Sequence, residues 1–211
     1  TEMARIASHF VFNGAYALEI GALTPIFLAM EDRERILDLI ESVTGGRFHP
    51  NFNRIGGIKP AAGSGPTTKK NIQDLPAGFY QETRDAMEKV LEAVERMEDL
   101  VGGNEVFKVR TKGVGIISKE LAEEYGVSGP ILRASGVKFD LRTQTDFLPY
   151  DKFDYEIPVG ENGDCYDRWY VRLMEMKESA KIILQAIDSM PSGPLQTKVP
   201  KVIKVPKGQS Y

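Results

Sequence analysis

Apolar positions recur every three to four residues in four long stretches of this chain, and each stretch reads as a helix that buries one face. In the first, Met3, Ile6, Phe10, Gly14, Ala17 and Leu18 share a face when the chain is wound at about 100° per residue. Beside them Arg5, His9, Phe12, Tyr16 and Glu19 occupy an arc of roughly 80° with no lysine among them. An ordinary surface face would carry solubilising charge. The helix Arg5 to Ile20 is therefore expected to be buried on two sides, the second lined by an acid, an imidazole and a phenol.

Gly21 can stop that helix and Thr24-Pro25 can start the next, as N-cap and first helical residue. The second helix should reach Thr44 and end at Gly45-Gly46, with Ile26, Met30, Leu37, Ile40 and Val43 inward and the run Glu31 to Arg35 as a solvated face. A third is expected from Ala77 to Leu100, burying Met87, Val90, Leu91, Val94 and Met97. The fourth, capped by Asp164, should run to about Met190 with Tyr166, Trp169, Tyr170, Leu173, Met176, Ala180 and Ile183 inward. Its outer face would then carry Arg168, Arg172, Glu175, Glu178 and Lys181.

Between these helices the helical period is lost. Arg47 to Gly57 holds Pro50 and two glycines and reads as a constrained, extended or hairpin-like loop. It gathers two Arg, one His, two Phe and two Asn, so two readings stand: a positively charged site, or a packed loop whose arginines bond carbonyls. Residues 59–73 read as a flexible insertion; Gly63-Ser64-Gly65 there lacks the ending and the preceding strand of a phosphate loop. Arg110 to Ile117 suggests a turn into a short strand-like run, and Ser118 can cap a helix over Lys119 to Tyr125. Gly126, Gly129 and Pro130 should break the chain before Ile131 to Val137. Residues 191–211, with prolines and lysines throughout, read as an extended tail.

Composition narrows the class. With 211 residues, 42% of them hydrophobic, the chain can bury a sizeable core and is expected to form a single helical domain over 1–211. A net charge of −3 argues against nucleic acid as a partner. Cys165 is the single cysteine, too few for an internal disulfide or a cysteine-held cluster. No run approaches the ~18 apolar residues of a spanning helix, so membrane contact is expected through partners only. Both ends read as cut, which suggests a segment of a larger subunit.

Several motifs, in this order, resemble the quinone-site D subunit of respiratory complex I, the proton-translocating NADH:quinone oxidoreductase. They are Arg5-Ile6-Ala7-Ser8-His9, Gly21-Ala22-Leu23-Thr24-Pro25, Arg33-Glu34-Arg35, Arg54-Ile55-Gly56-Gly57 and Asp74-Leu75-Pro76, then Gly113-Val114-Gly115, Leu132-Arg133-Ala134-Ser135-Gly136-Val137 and Gly163-Asp164-Cys165-Tyr166-Asp167-Arg168. The resemblance extends over nearly the whole chain. It implies a mainly α fold, a helical bundle with short strand and loop segments, similar to the central part of a nickel-iron hydrogenase large subunit. The family's N-terminal His-rich loop and its quinone-contacting tyrosine would precede Thr1, so this segment alone is not expected to complete a quinone pocket or to be active.

The resemblance also implies roles. His49 matches the family histidine beside the terminal iron-sulfur cluster, which a neighbouring subunit ligates. Glu19 matches the acidic position near the quinone head group, where the family usually carries Asp. His9 matches a family position of less defined role, and Tyr16 and Arg54 would line the quinone cavity or the cluster-facing loop. Quinone is the implied substrate, with no cofactor or metal held by this segment alone. The implied partners are the terminal-cluster subunit and the C subunit, on the cytoplasmic side of the cell inner membrane. Two other classes remain: the large subunit of a membrane-bound hydrogenase or ferredoxin-linked dehydrogenase, which needs paired Cys-x-x-Cys motifs, and a non-catalytic scaffold module.

Overall fold

The computed structural model describes residues 1–50, 52–58, 75–76, 78–144, 148–191, 197–200 and 208. Among them the fold is mainly α, as the periodicity predicts. Helices α1 (Glu2–Glu19), α2 (Thr24–Thr44), α3 (Phe79–Met97) and α7 (Cys165–Asp188) are long; α4 (Glu105–Thr111), α5 (Lys119–Glu124) and α6 (Gly129–Ala134) are short. A two-residue ribbon, β1 (Asn53–Arg54) antiparallel to β2 (Gly57–Ile58), is the sheet structure among the described residues. No described helix is long and apolar enough to cross a membrane. The proposed 59–73 insertion and most of the 191–211 tail lie outside the described residues.

The chain clusters into two compact units, Thr1–Leu37 with Tyr80–Met190 and Asp38–Phe79 with Pro191–Tyr211. In the first, α1 lies along α7. Ile6, Phe10 and Ala17 of α1 and Trp169, Leu173, Met176 and Ala180 of α7 are buried, as their spacing requires. Gly14 lets α2 approach closely: a Cβ there would stand 3.0 Å from the Ala29 Cβ and 3.1 Å from the Ile26 Cα. On α3, Met87, Val90, Val94 and Met97 are buried while Lys89 and Glu92 pair in solvent at 2.8 Å. The charged run on α2 is not uniformly solvated. Glu31 and Arg35 form an exposed pair at 3.1 Å, but Asp32 is buried against Arg96.

Two predicted elements differ. Residues 113–117 form no strand, because their hydrogen bonds run to the loop that precedes α7 rather than to a neighbouring strand. Ile117 N–H donates to the Gly163 carbonyl at 2.9 Å, and Cys165 N–H to the Val114 carbonyl at 3.0 Å. Gly129-Pro130 begins α6 rather than breaking the chain, since proline is tolerated in the first turn, where its missing N–H has no partner to lose. The predicted caps at Ser118 and Asp164 are present: Ser118 accepts from Leu121 N–H at 3.2 Å and Asp164 from Asp167 N–H at 2.8 Å.

In the second unit, Arg47 joins Asp38 and Glu41 at 2.7 and 2.6 Å. The Asn53–Ile58 ribbon turns at Gly56, whose φ is +91°, and the Gly56 carbonyl accepts from Thr197 N–H at 2.7 Å. The hairpin-like reading of this loop therefore holds. Phe48, His49 and Ile55 are exposed.

Asp164 is the most direct test of the first unit, because its second oxygen also accepts from Gly113 N–H at 2.8 Å. D164A removes both bonds and is expected to destabilise the chain by about 1–3 kcal/mol. Urea denaturation followed by far-UV circular dichroism measures it; D164N, which retains an acceptor, should recover part of the loss.

Candidate functional site

The second stripe of α1 lies on α7, and successive contacts climb one helix while descending the other. Glu2 accepts from Ser179 at 2.6 Å, His9 meets Glu175, Phe12 meets Arg172, and the Tyr16 hydroxyl donates to the Cys165 carbonyl at 3.3 Å. The seam is thus polar over about four turns, as the sequence led us to expect, but its acid is a different one. Glu19 is exposed and takes no part in burial. The acid that meets His9 is Glu175, only 1% exposed, which the sequence pattern had assigned to the solvated face of α7.

Glu175 is saturated with donors. His9 Nε2 lies 2.8 Å from its Oε2, Arg133 Nη2 2.6 Å and Nε 2.7 Å from its Oε1, and Arg5 Nη1 3.5 Å from Oε2. Burial pushes this carboxyl up, yet the His9 hydrogen bond and the Arg133 charge outweigh it and hold it below its ordinary value. An ionised carboxylate only accepts, so the His9 imidazole is the donor. Arg133 also reaches the Phe139 carbonyl at 2.9 Å and stands 3.8 Å from Asp140.

A second cluster continues the network. Arg142 binds Asp140 through Nε at 3.0 Å and Nη2 at 2.8 Å, and Glu2 through Nη1 at 3.1 Å. Glu2 accepts from Tyr150 at 2.5 Å and lies 3.3 Å from Arg5 Nε. Burial raises the Asp140 carboxyl, but its bonds with Arg142 prevail and leave it lowered; burial and the Glu2 bond together push the Tyr150 phenol up. Three arginines and three carboxylates from α1, α6, α7 and the intervening turns are thereby linked in the protein interior.

Toward the C-terminal end of α1 the character changes. Phe12 stacks on Tyr16 with centroids 5.1 Å apart and planes at 15°, and Tyr16 meets the Phe107 edge at 6.0 Å. Burial, reinforced by the Cys165 contact, pushes the Tyr16 phenol well above its usual value and keeps it a donor. Both rings are partly buried. His49 and Arg54 belong to the other unit, and for Arg54 only the backbone, in β1, is described. Among the described residues no three His, Cys, Asp or Glu side chains are grouped to hold a metal.

The residues missed from sequence are Glu175, Arg133 and Arg172. A signal for Glu175 was present: Val171, Ser179 and Ile182, at i−4, i+4 and i+7, cannot solvate a charge between them. For Arg133 it was its place among Ile131, Leu132 and Ala134.

A sequence profile described as "Respiratory-chain NADH dehydrogenase, 49 Kd subunit" matches residues 19–211. The chain belongs to this family. Relatives named as the D subunit of NADH-quinone oxidoreductase, from Desulforamulus reducens and Carboxydothermus hydrogenoformans, are each 44% identical to it; the alignments cover 100% of this chain and 54% of each relative. A relative of the same name from Clostridium beijerinckii is 44% identical over 210 residues, and 53% of it is covered. The chain spans about half the length of these curated relatives. The 49 kDa family profile starts at Glu19, but the pairwise similarity takes in all of α1, so the α1 side of the buried seam lies within the shared region.

The seam gives this 49 kDa family member a defined acid sensitivity. Glu175 and Asp140 are both held below their unfolded values, so their contribution is fully present above about pH 4.3, the ordinary carboxylate range, and is lost as pH falls through the lowered folded values. E175Q is expected to destabilise by about 3–5 kcal/mol near neutral pH, because Arg133 keeps its burial and loses its counter-charge. The variant should also show a flatter dependence on pH below 5 than the parent. Urea midpoints collected from pH 3 to 7 for both proteins measure these two effects.

Proposed function

We propose that this chain is the part of an NADH-quinone oxidoreductase that lines its quinone-reduction site, in the peripheral arm and beside the terminal iron-sulfur cluster of a neighbouring subunit. The reading is carried by the 44% identity, over the whole chain, with proteins named as the D subunit of NADH-quinone oxidoreductase. The partly buried Phe12–Tyr16 stack supports it, since a flat, largely apolar ring with polar oxygens suits an aromatic wall with a protonated phenol. Electrons from NADH would reach quinone through flavin and clusters held by other subunits, and quinone would take up two protons. The chain's side chains then contribute electrostatics and proton coupling rather than covalent chemistry.

In this reading Glu19 supplies a carboxylate near the quinone head group, and its exposure leaves it free to face groups outside the chain. His49, also exposed, faces the cluster; a histidine changes charge between about pH 5 and 8 and can take up a proton when the cluster gains an electron. His9, Tyr16 and Arg54 belong to the cavity wall or the cluster-facing loop. The partners are the terminal-cluster subunit and the C subunit, and the complex sits against the cytoplasmic face of the cell inner membrane, which this chain reaches only through them. Alone, the segment reduces no quinone.

Two experiments in the assembled complex test these roles. H49M should make the midpoint potential of the adjacent cluster independent of pH between about 6 and 8; a potentiometric titration that keeps its full pH dependence removes His49 from this role. E19Q and E19D should each lower NADH:quinone turnover on the order of tenfold, and unchanged turnover with a short-chain quinone counts against Glu19.

A further inference from the structure

The α1–α7 seam is charge-balanced at its inner end and not at its outer end. Arg5, Arg133 and Arg142 are each in ion-pair contact with Glu2, Asp140 or Glu175. Arg172, one turn along α7, has no such contact with any described carboxylate. Its Nη1 donates to the Arg168 carbonyl at 2.5 Å, and its guanidinium carbon stands 3.9 Å from the Phe12 ring centroid. Its Nε and Nη2 have no acceptor among the described residues, and the residue is half-buried. Burial lowers its pKa; Glu175 opposes that shift, while Arg168 and Arg133 add to it by repulsion. Arg168 offers no relief, because it is a cation too and directs its own N–H groups to the Gly163 and Gly115 carbonyls and the Cys165 sulfur.

A partly desolvated cation with two unpaired donors, whose nearest carboxylate among the described residues is already met by His9, Arg5 and Arg133, calls for an anionic ligand. The neighbours specify what kind. Phe12 and Tyr16 present stacked rings, and Tyr16 keeps a phenolic proton whose present bond, at 3.3 Å, is long and easily exchanged. Donors beside aromatic faces suit a flat ring whose oxygens gain negative charge. We propose that Arg172 is the positive charge that holds the reduced, anionic form of the quinone beside Phe12 and Tyr16.

The proposal rests on the quinone-site reading above and adds to it the residue that answers the charge. One electron from the neighbouring subunit's iron-sulfur cluster converts the quinone into its radical anion, with the charge shared between the two ring oxygens. A second electron and two protons complete the quinol. The neutral quinone carries no charge for Arg172 to meet, so the guanidinium favours the reduced state over the bound substrate. An interaction of that kind acts on kcat and leaves KM nearly unchanged.

The test compares R172Q and R172K in the assembled complex, with a short-chain quinone and with ferricyanide, an acceptor served upstream of the quinone. R172Q is expected to lose about tenfold or more in kcat, with KM within about twofold and ferricyanide reduction unchanged. Its quinone radical signal in electron paramagnetic resonance should fall in parallel. R172K, which keeps the charge but loses the planar fork stacked on Phe12, should retain clearly more kcat and radical signal than R172Q. Unchanged quinone turnover in R172Q overturns the proposal, and so does an R172K that loses as much as R172Q, since the charge is then present and ineffective. Should R172Q fail to assemble, R172M, which also removes the charge, replaces it with the same expected loss and the same overturning outcome. A wild-type complex without NADH:quinone activity would instead remove the quinone-site reading itself.

Discussion

The position of Glu175 governs the first unit. A carboxylate at 1% exposure is tolerable only if it is ionised and fully met by donors, and those donors come from α1, through His9 and Arg5, and from α6, through Arg133. This fixes more than contact. Sliding α1 by one helical turn along α7 would move His9 about 5.4 Å from its partner and leave charges unpaired in the interior. An apolar seam would lose little by such a slip. The ionic seam adds modest net stability because desolvation offsets its Coulombic gain, but it selects one register out of several that the flanking Ile6, Phe10, Leu173 and Met176 would accept.

The other features of the unit follow from holding that register. Asp164 starts α7 at a fixed residue and also ties down Gly113, so the loop before the helix and the residues after α4 are set together. Gly163 has φ of +65° and its carbonyl accepts from Ile117 N–H at 2.9 Å, which aligns the start of α7 with the chain entering α5. Arg142 then joins Asp140 to Glu2 at the first turn of α1. The two ends of a 140-residue separation are thereby connected through one guanidinium.

What could be read from the sequence was whatever depends on local chemistry. The four long helices, the caps at Ser118 and Asp164 and the hairpin-like loop within Arg47 to Gly57 each rest on a residue's own conformational preference or on periodicity, and all are present. Glu175 escaped because periodicity ranks positions by polarity, and a glutamate beside Arg172 and Glu178 reads as surface until its partners are known. Those partners, His9 and Arg133, lie 166 and 42 residues away. The expected burial of Glu19 is not met for the complementary reason: it shares the arc of His9 and Tyr16, but α1 ends at that residue, where the chain turns through Gly21 and leaves the side chain in solvent. Residues 113–117 have strand-like composition, yet a strand needs a neighbour, and here the backbone is taken by the loop before α7.

Along the seam, charge compensation declines from one end to the other, and that gradient separates structural from chemical roles. At the inner end every guanidinium meets a carboxylate, and no unpaired cation is left there. At the outer end Arg172 is stacked on Phe12 and, among the described residues, bonded only to a backbone carbonyl, while Tyr16 holds its proton beside it. Both ends lie on the same two helices, so the rigidity created by Glu175 is passed to the outer residues without further contacts. A positively charged, aromatic wall whose guanidinium is in ion-pair contact with no described carboxylate stays available for a charge that arrives during reaction. Had the seam been compensated throughout, it would have fixed the helices equally well and offered nothing to a reduced substrate.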